Sequence, residues 1–405
     1  MLEPERELTL EAARQRICEQ LELLSLRAEV TWRGAELGVA QVRLYSGSHQ
    51  TSQGWGKGYR AQALVGAHYE ALEHHLDRHL PRRQHLRLTD TLAANTALHD
   101  DLLMPWLQAQ PGRALACQAY HDLQRHWLFD YPTGLTHPNY ADAPLPGDTF
   151  DHRALRRYSS NDGSAIGATR DEAVLHALNQ TLERDATSLF LLRHFYHQHQ
   201  DTVTWLDKPS AGTPLGQLWR HAEQTLQAPI HVLDISTEFA SRTYLALRMD
   251  VLDKPHGSLF GAGTSLDPWH AAHRAVSELV QVQLNAQDDA ARKVLAHQER
   301  LLHPFPKLLR CLQLDLMSLI ECPQASADLS APETGKSVRD QLERLTTDLH
   351  AHGYMPGVCE VFSGREGLSL VNVIVPGLER FHLVTNGNVV CPGPRGVRLT
   401  RRVEA

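Results

Sequence analysis

The chain has 405 residues, a formal net charge of −7 at pH 7 and an isoelectric point near 6.4. This length can bury a sizeable core in one large domain or in two closely packed ones. The acidic balance argues against a nucleic-acid-binding protein with a broad basic surface. No apolar run reaches the length of a membrane span and no segment resembles a signal peptide, so we expect a cytoplasmic protein that contacts no membrane.

The cysteine and histidine patterns do not predict a zinc site. The six cysteines include no Cys-x-x-Cys pair and are expected to be reduced and structural. Three of the 25 histidines, His68, His75 and His79, lie near one another on a predicted helix. Since no matching Cys/His cluster supplies further ligands, we interpret these histidines as part of a solvated helix surface.

The chain begins with a predicted α/β lead-in and a first Gly-rich segment. Hydrophobic periodicity predicts one helix and two strands, at residues 8–24, 29–33 and 39–45. The Gly-rich segment, residues 54–58, precedes a helix that carries Glu70 and Glu73. Lys57 lies between two glycines, which would leave it free to approach a phosphate group.

A second Gly-rich segment, residues 159–168, follows a mixed region. That region is predicted to contain mainly helix and then two strands, at residues 80–107, 114–120 and 126–131. Residues 132–151 are rich in Pro, Gly, Asp and Asn and are predicted to be an extended loop. Two interpretations of this loop stay open: it borders the active site, or it is a plain surface connection.

The second Gly-rich segment leads into a long helix. Thr169 is its predicted N-cap, and Glu172 three residues later would complete a capping box. An apolar stripe predicts that one face of this helix packs against a core. Gln180 and Glu183 lie off that stripe.

A third Gly-rich segment, residues 260–265, follows a predicted helix and two strands, at residues 216–226, 230–236 and 243–249. Asp267 and Pro268 are a favourable cap and first turn for the next helix. This helix carries three polar side chains at spacings of four and three, Arg274, Glu278 and Gln281.

The rest of the chain is predicted to alternate helices and strands. Helices are predicted at residues 284–320 and 337–352, with a loop between them at 322–335. Strands are predicted at residues 358–362, 369–375 and 382–385. The whole pattern predicts an α+β fold with layered mixed sheets and helices.

Three units of the chain therefore share one order: a Gly-rich loop, a helix, and a Glu/Gln pair three residues apart. Backbone N–H groups before a helix can bind anionic oxygens, which suggests nucleotide phosphate. For one unit alone, a small-residue turn before a solvated amphipathic helix explains the pattern better than a phosphate site does. At about 1.5 Å of rise per residue, each pair lies roughly 15 to 25 Å beyond its own loop, so we expect a site assembled between units. Four carboxylates and two amides at a common centre would suit Mg²⁺ bound to phosphate oxygens.

At these residues the sequence resembles the YcaO family, ATP-dependent enzymes that activate peptide backbone amides. The shared motifs span the chain from about Gly54 to its end. They are Gly56-Lys57-Gly58 with Glu70-x-x-Glu73, Gly167-x-Thr169-x-x-Glu172-Ala173 with Glu183-Arg184-Asp185, Arg274-x-x-x-Glu278-x-x-Gln281, Val373-Ile374-Val375-Pro376-Gly377 and Pro392-Gly393-Pro394-Arg395-Gly396.

The resemblance implies a YcaO-like fold with one ATP site assembled from the three loop–helix units. It predicts a single domain over residues 1–405, with a lead-in (1–50), a nucleotide-binding core (51–290) and a helical segment with C-terminal strands (291–405). The implied cofactors are ATP and Mg²⁺. The implied ATP-binding residues are Lys57, Glu172, Arg184 and Arg274. The implied magnesium ligands are Glu70, Glu73, Gln180, Glu183, Glu278 and Gln281.

The chain departs from the family pattern at three positions, and no residue can be assigned as the general base. Gln180 stands where the family usually has Glu, and the loss of one charge would weaken the hold on one Mg²⁺. Asn372 stands where one branch has Arg, and Ala168 where Asn is frequent. These departures leave a weakened or inactive enzyme open.

The implied activity is phosphorylation of backbone amides in a ribosomally synthesised peptide, most commonly for cyclodehydration of Cys, Ser or Thr to thiazoline or oxazoline. The alternatives are thioamide formation with a TfuA-like partner, amidine formation, or a nucleotide-binding assembly subunit without catalysis. Residues 395–405 lack the alternating prolines of the azoline-forming branch.

The resemblance also implies partners for this chain. Because the YcaO-like region accounts for the length, we expect a separate protein that binds the leader of the precursor peptide or delivers sulfur. An oxidase partner and a homodimer are further expectations.

Overall fold

A computed structural model describes residues 3–250, 259–332 and 335–401 of the protein. The described chain is a mixed α+β structure, as predicted. Its strands are β1 Arg27–Gly34, β2 Leu37–Ser46, β3 His49–Tyr59, β4 His85–Leu88, β5 Ala114–His121, β6 Trp127–Pro132, β7 Ser164–Gly167, β8 Val203–Leu206, β9 Ile230–Asp234, β10 Arg242–Arg248, β11 Gly261–Ser265, β12 Gln324–Ala327, β13 Gly357–Ser363 and β14 Ser369–Ile374.

The α-helices lie between and across these strands. They are α1 Leu10–Leu23, α2 Arg60–His79, α3 Thr89–Ala93, α4 Met104–Gln108, α5 Thr133–Thr136, α6 Arg170–Leu191, α7 Pro214–Leu226, α8 Pro268–Asn285, α9 Asp289–Leu302, α10 Pro306–Gln313, α11 Leu316–Ile320, α12 Val338–Ala351 and α13 Pro394–Thr400. Each helix of the described residues is too short or too polar to cross a lipid bilayer.

The strands form three sheets, and each sheet contributes one of the Gly-rich segments. The first sheet is the antiparallel meander β1-β2-β3. The second has the order β11-β10-β9-β8-β12, with β12 parallel to β8. The third has the order β4-β5-β13-β14-β7, and β6 also pairs with β5.

Helices cover the sheets through apolar side chains. Leu72 of α2 joins Val42 and Leu44 of the first sheet in one buried cluster. Ala275 and Leu279 of α8 pack with the second sheet, and Leu178 of α6 packs with the third. The polar faces of α2, α6 and α8 are thereby left to face one another.

Most of the three Gly-rich segments lies in strands, so the prediction of loops is wrong for those residues, whereas residues 159–163 and 168 lie outside the strands as predicted. Residues 54–58 lie in β3, residues 164–167 form β7 and residues 261–265 form β11. The glycines allow a helix to touch a strand. A Cβ atom on Gly56 would lie 1.8 Å from the Ala63 carbonyl oxygen of α2, and one on Gly263 would lie 2.2 Å from the Ala271 carbonyl oxygen of α8. Glycine composition suggested turns, whereas the requirement was close backbone packing.

Other element predictions were partly wrong. The predicted strand at residues 382–385 lies in a 3₁₀ helix, Phe381–Asn386, and strand β8 was not predicted. The predicted loop at 132–151 contains the short buried helix α5, and the loop at 322–335 contains β12. The helical prediction for 284–320 is confirmed by the end of α8 and by α9, α10 and α11. The division of the chain into a lead-in, a core and a C-terminal part stays a prediction.

Candidate active site

A cavity of about 530 Å³ lies between the polar faces of α2, α6 and α8. All ten residues that the sequence singled out line this one cavity. They are Lys57, Glu70, Glu73, Glu172, Gln180, Glu183, Arg184, Arg274, Glu278 and Gln281. The three units therefore converge, although their roles toward ATP and Mg²⁺ stay predictions.

Helical spacing explains how each helix presents its polar side chains to the cavity. On α8, the lining residues follow one another at intervals of three and one, so that they form one stripe. They are His270, His273, Arg274, Ser277, Glu278, Gln281 and Val282. Ala271, Ala275 and Leu279 lie on the opposite face and are fully buried in the core.

The Glu/Gln pairs lie beside their own Gly-rich strands, which corrects the expectation that they are 15 to 25 Å away. Glu70 lies against β3, because a Cβ atom on Gly54 would lie 2.7 Å from the Glu70 carbonyl carbon. Gln180 Oε1 accepts a hydrogen bond from the Gly163 backbone N–H at 2.7 Å. Each helix packs back along its own strand, so a residue far along the helix can still lie close to the strand.

Contacts between units also occur, as expected. The Lys57 ammonium group of the first unit forms an ion pair with Glu278 of the third. Glu73 Oε2 of the first unit accepts a hydrogen bond from the Ile166 backbone N–H of the second, at 3.0 Å. Side chains of different units thus share one electrostatic environment.

Burial and mutual repulsion act on the carboxylates of the cavity. Burial and the neighbouring Glu70 raise the pKa of Glu73 well above its usual range. Burial and Glu278 likewise raise the pKa of Glu183. Burial opposes ionisation of Glu278 too, but Lys57 and Arg184 hold its pKa below the usual value. Among the described residues, seven carboxyl groups and four Lys or Arg side chains line the cavity, so an added cation would favour ionisation of the carboxyl groups whose pKa is raised.

One buried oxygen of the cavity also lacks a partner. Glu183 is 3% exposed, and its Oε2 atom makes no hydrogen bond within the described part of the chain. Its Oε1 atom lies 3.6 Å from an Arg184 nitrogen. Since buried polar atoms are normally paired, the unpaired oxygen marks a place where an additional cation fits.

The donor set suits magnesium bound together with phosphate. Within residues 3–250, 259–332 and 335–401, no three His, Cys, Asp or Glu side chains converge closely enough to hold a metal ion by themselves. Magnesium is commonly held by one or two carboxylates plus substrate phosphates and water. The carboxylates and amides lining this cavity supply only oxygen ligands, so they fit Mg²⁺ when phosphate oxygens complete the coordination.

Comparison with known proteins decides the family. The sequence pattern of the family described as YcaO cyclodehydratase, ATP- and Mg²⁺-binding, matches residues 55–379. The chain belongs to the YcaO family. ATP and Mg²⁺ are cofactors of this family, as the resemblance implied.

Two relatives are similar in sequence to part of this YcaO-family chain. An uncharacterised protein in the tfuA 3′ region of Rhizobium leguminosarum bv. trifolii is 27% identical over 274 residues, which cover 63% of this chain and 61% of that protein. An uncharacterised protein of Methanothermobacter thermautotrophicus is 31% identical over 263 residues, which cover 59% of this chain and 63% of that protein. The matches thus span about three fifths of each relative.

Solved structures confirm the YcaO fold. YcaO from Methanopyrus kandleri, bound with AMPPCP and Mg²⁺, has a TM-score of 0.64 at 18% identity and covers 93% of both chains. A heterocyclase in complex with substrate and cofactor has a TM-score of 0.65 at 19% identity, covering 94% of this chain and 55% of the other. The E. coli microcin synthetase McbBCD complex has a TM-score of 0.59 at 10% identity, covering 87% of this chain and 88% of the other. At these identities the likeness concerns the fold.

Two of the three departures from the YcaO pattern, Gln180 and Asn372, have local explanations. The Gln180 amide oxygen is used by the Gly163 N–H, a contact that needs an oxygen but no charge. Asn372 is buried between Tyr120, whose hydroxyl donates to it at 2.7 Å, and the Asp162 carbonyl at 3.4 Å. The longer side chain of an Arg would displace these partners.

Glu172 is placed differently from the predicted capping box. Thr169 caps α6 as predicted, and its hydroxyl oxygen accepts from the Glu172 N–H at 3.2 Å. The Glu172 carboxylate instead accepts from the Ala168 N–H at 3.1 Å and from the Glu7 N–H at 2.5 Å. The N-terminal segment competes successfully for this carboxylate, a contact that no local pattern indicates.

Several lining residues of the YcaO cavity were missed. His176 follows Glu172 by four residues, and His270 and His273 precede Arg274 on the α8 stripe, so helical spacing could have found all three. Five further lining residues, Glu3, Arg6, Leu8, Leu10 and Ala13, come from the N-terminal part of the chain. Its approach to the cavity depends on tertiary structure alone.

Proposed function

We propose that this chain is an enzyme that uses ATP and Mg²⁺ to activate backbone amides of a ribosomally synthesised precursor peptide, with thiazoline or oxazoline as the product. The observation that supports this proposal is the convergence of carboxylates from three helices on one cavity, including the buried and unpartnered Glu183 oxygen. Mg²⁺ would offset the negative charge of these carboxylates and of a bound triphosphate, with oxygen atoms of the cavity as its protein ligands.

The proposed chemistry divides between nucleotide and protein. When bound, ATP supplies a phosphoryl group to the oxyanion that forms as a nucleophile adds to the amide carbonyl, and phosphate then leaves. Lys57, Arg184 and Arg274 would offset charge on phosphoryl oxygens. The remaining predicted residues would hold Mg²⁺ or the nucleotide, and we assign no general base.

Thioamide formation is the second candidate product. It is favoured by the relative from the tfuA 3′ region, which suggests a sulfur-delivering partner for this chain as well. In that case sulfide replaces the Cys, Ser or Thr side chain as the nucleophile, while the activation by phosphorylation is the same. The McbBCD complex among the similar structures also supports a partner protein, in either case.

The decisive experiment combines the purified chain with a candidate precursor peptide, its partner protein, ATP and Mg²⁺. Phosphate release that depends on the peptide is expected. Mass spectrometry then separates the products: loss of one water per modified residue indicates azoline formation, and exchange of oxygen for sulfur indicates a thioamide.

Two outcomes would count against the proposal. Oxygen-to-sulfur exchange would replace the azoline product by the thioamide while retaining amide activation. The chain could instead bind nucleotide but show no peptide-stimulated phosphate release with any candidate precursor peptide and partner protein. That result would favour a non-catalytic assembly subunit.

A further inference from the structure

The N-terminal segment, residues 3–9, forms one wall of the cavity and carries a buried carboxylate that the family motifs do not include. Glu5 is 4% exposed, although it precedes the first helix by five residues. A buried carboxylate is costly unless it is paired and hydrogen-bonded. Its partners therefore indicate its purpose.

Glu5 is held by two neutral donors and two basic groups. Its Oε1 atom accepts from the Ser265 hydroxyl at 2.5 Å and from the Asn179 amide at 3.0 Å. Its Oε2 atom lies 3.6 Å from His270 Nε2 and 3.8 Å from an Arg274 Nη1 atom. These partners come from α6, the end of β11 and α8, so one carboxylate joins two of the three units.

The charges around Glu5 keep it ionised. Burial alone would raise its pKa, but His270 and Arg274, with the hydrogen bond from Ser265, lower the pKa to about 2. Arg274 also meets His176, whose Nδ1 atom lies 3.0 Å from Nη1. Glu5 is thus an acidic partner of the Arg274 guanidinium.

The backbone around Glu5 is constrained to make these contacts. Glu5 has a φ of +60°, a left-handed conformation that non-glycine residues rarely adopt. Neighbouring carboxylates fasten the segment on both sides. Glu3 accepts from the Gln62 amide at 2.6 Å, and Glu7 accepts from the Thr169 hydroxyl. Strain of this kind persists only where the surroundings hold it in place.

We propose that Glu5 is a positioning residue for the nucleotide site: it fixes the Arg274 guanidinium at the cavity wall and fastens the N-terminal segment across α6 and α8. The proposal rests on the proposed contact between Arg274 and nucleotide, but not on the peptide or the product. The short bonds to Ser265 and Asn179 anchor the carboxylate independently of Arg274, whose longer contact leaves its remaining N–H groups available.

An alternative role for the Glu5 carboxylate makes the opposite prediction for nucleotide binding. If the Glu5 carboxylate merely occupied the place of a phosphate group, removal of its charge would strengthen nucleotide binding. A positioning residue instead makes nucleotide binding weaker when its charge is removed, because Arg274 loses its fixed orientation.

The test measures binding of the ATP analogue AMPPCP with Mg²⁺ by calorimetry, with no peptide present. We expect Glu5→Gln to raise Kd about tenfold, which corresponds to about 1.4 kcal/mol. The control Glu11→Gln removes a carboxylate that is exposed on α1 and pairs with Arg14, and it should leave Kd unchanged. An unchanged or lower Kd for Glu5→Gln would overturn the proposal.

A double-mutant cycle separates positioning from a general structural effect. In an Arg274→Ala background, Glu5→Gln should cost less than about twofold, because the residue that it positions is gone. An equal loss in both backgrounds would also overturn the proposal. If Glu5→Gln does not fold, Ser265→Ala removes one anchor and retains the charge, and a Kd within error of wild type would then decide against it.

These readouts distinguish the inference from the proposed function. Normal nucleotide binding by the Glu5 variant would defeat the inference while amide activation stands. Nucleotide binding that is tenfold weaker in the Glu5 variant would support the positioning role. If the wild-type protein also left the peptide unmodified, amide activation would be wrong while the positioning role stands.

Discussion

Glu183 and Asp185 lie two residues apart on α6, and both are buried, but their surroundings differ. Both oxygens of Asp185 accept from Arg395 of α13, at 2.7 and 2.9 Å, and Oδ1 also accepts from the Glu379 N–H. Glu183 faces the cavity, and its Oε2 atom has no hydrogen-bond partner in the described ranges. One carboxylate is fully paired by the protein, while the other is not.

The difference separates a structural carboxylate, Asp185, from a candidate metal ligand, Glu183. Arg395 also binds Glu238 and the Tyr354 hydroxyl. Burial alone would lower the pKa of Arg395, but Asp185 and Glu238 raise it. Such a network fixes the C-terminal helix on α6. The incomplete pairing of Glu183 has no structural benefit of this kind, so its free capacity is left for a cation.

The largest expected effect is on stability and concerns the fully paired carboxylate, Asp185. Arg395→Met should leave Asp185 as an uncompensated buried charge and lower the free energy of unfolding by about 3 to 5 kcal/mol. Urea unfolding followed by circular dichroism measures this loss. Arg398→Met, on the exposed face of the same helix, should change stability by less than about 0.5 kcal/mol. Equal effects of both substitutions would contradict a structural role for the Asp185–Arg395 pair.

The next largest effect is on ATP turnover and concerns the incompletely paired carboxylate, Glu183. Glu183→Gln should reduce peptide-dependent ATP turnover by about a hundredfold or more, because a charge that stabilises the transition state is lost. Its stability should be unchanged or higher, because a buried charge without a full partner is removed. Phosphate release and urea unfolding measure the two quantities. Turnover within about threefold of wild type would show that this face of α6 does not hold metal.

Gln180→Glu is the matched control for that experiment. It adds a charge on the same helix face but keeps an oxygen for the Gly163 N–H. The variant should retain turnover and bind Mg²⁺ equally or more tightly, which titration of Mg²⁺ against phosphate release measures. A loss as large as that of Glu183→Gln would mean that added charge at this position is harmful.

The smallest effect concerns a buried polar group outside the cavity. Burial lowers the pKa of His194 to about 4, and its Nδ1 atom makes no hydrogen bond in the structure described. The folded-state pKa lies below the unfolded value of about 6.5, so between these values the unfolded chain binds the extra proton. Stability should therefore fall as the pH decreases from about 6.5 to 4, and His194→Phe should weaken this dependence in urea unfolding. An identical pH dependence in the variant would show that His194 does not contribute.

The sequence already contained the helical stripes that line the cavity. The spacing of Arg274, Glu278 and Gln281 places them on one face of α8 because the helix repeats every 3.6 residues. The motifs that resemble YcaO then named ten residues, and the structure brings all ten to one cavity. Periodicity and motif order are local properties, which is why they could be recognised without a fold.

Local pattern failed where a long-range contact determined the outcome. The Gly-rich segments were mistaken for loops because glycine favours turns, whereas Gly56 and Gly263 serve contact with the helix that folds back over them. The strand predicted at residues 382–385 became a 3₁₀ helix whose residues Phe381 and Val384 are buried in the main core. In each case tertiary packing outweighed local preference.

The sequence by itself determined the family, the cofactors, the α+β class and the helix faces that carry the candidate ligands. Only the tertiary structure decided that Glu183 stays incompletely paired while Asp185 meets Arg395, since the two carboxylates are nearly adjacent in sequence. It also brought Glu5 to Arg274, which are 269 positions apart in the sequence. Pairing of buried charges depends on which distant segments share a low-dielectric space, and that arrangement exists only after the chain has folded.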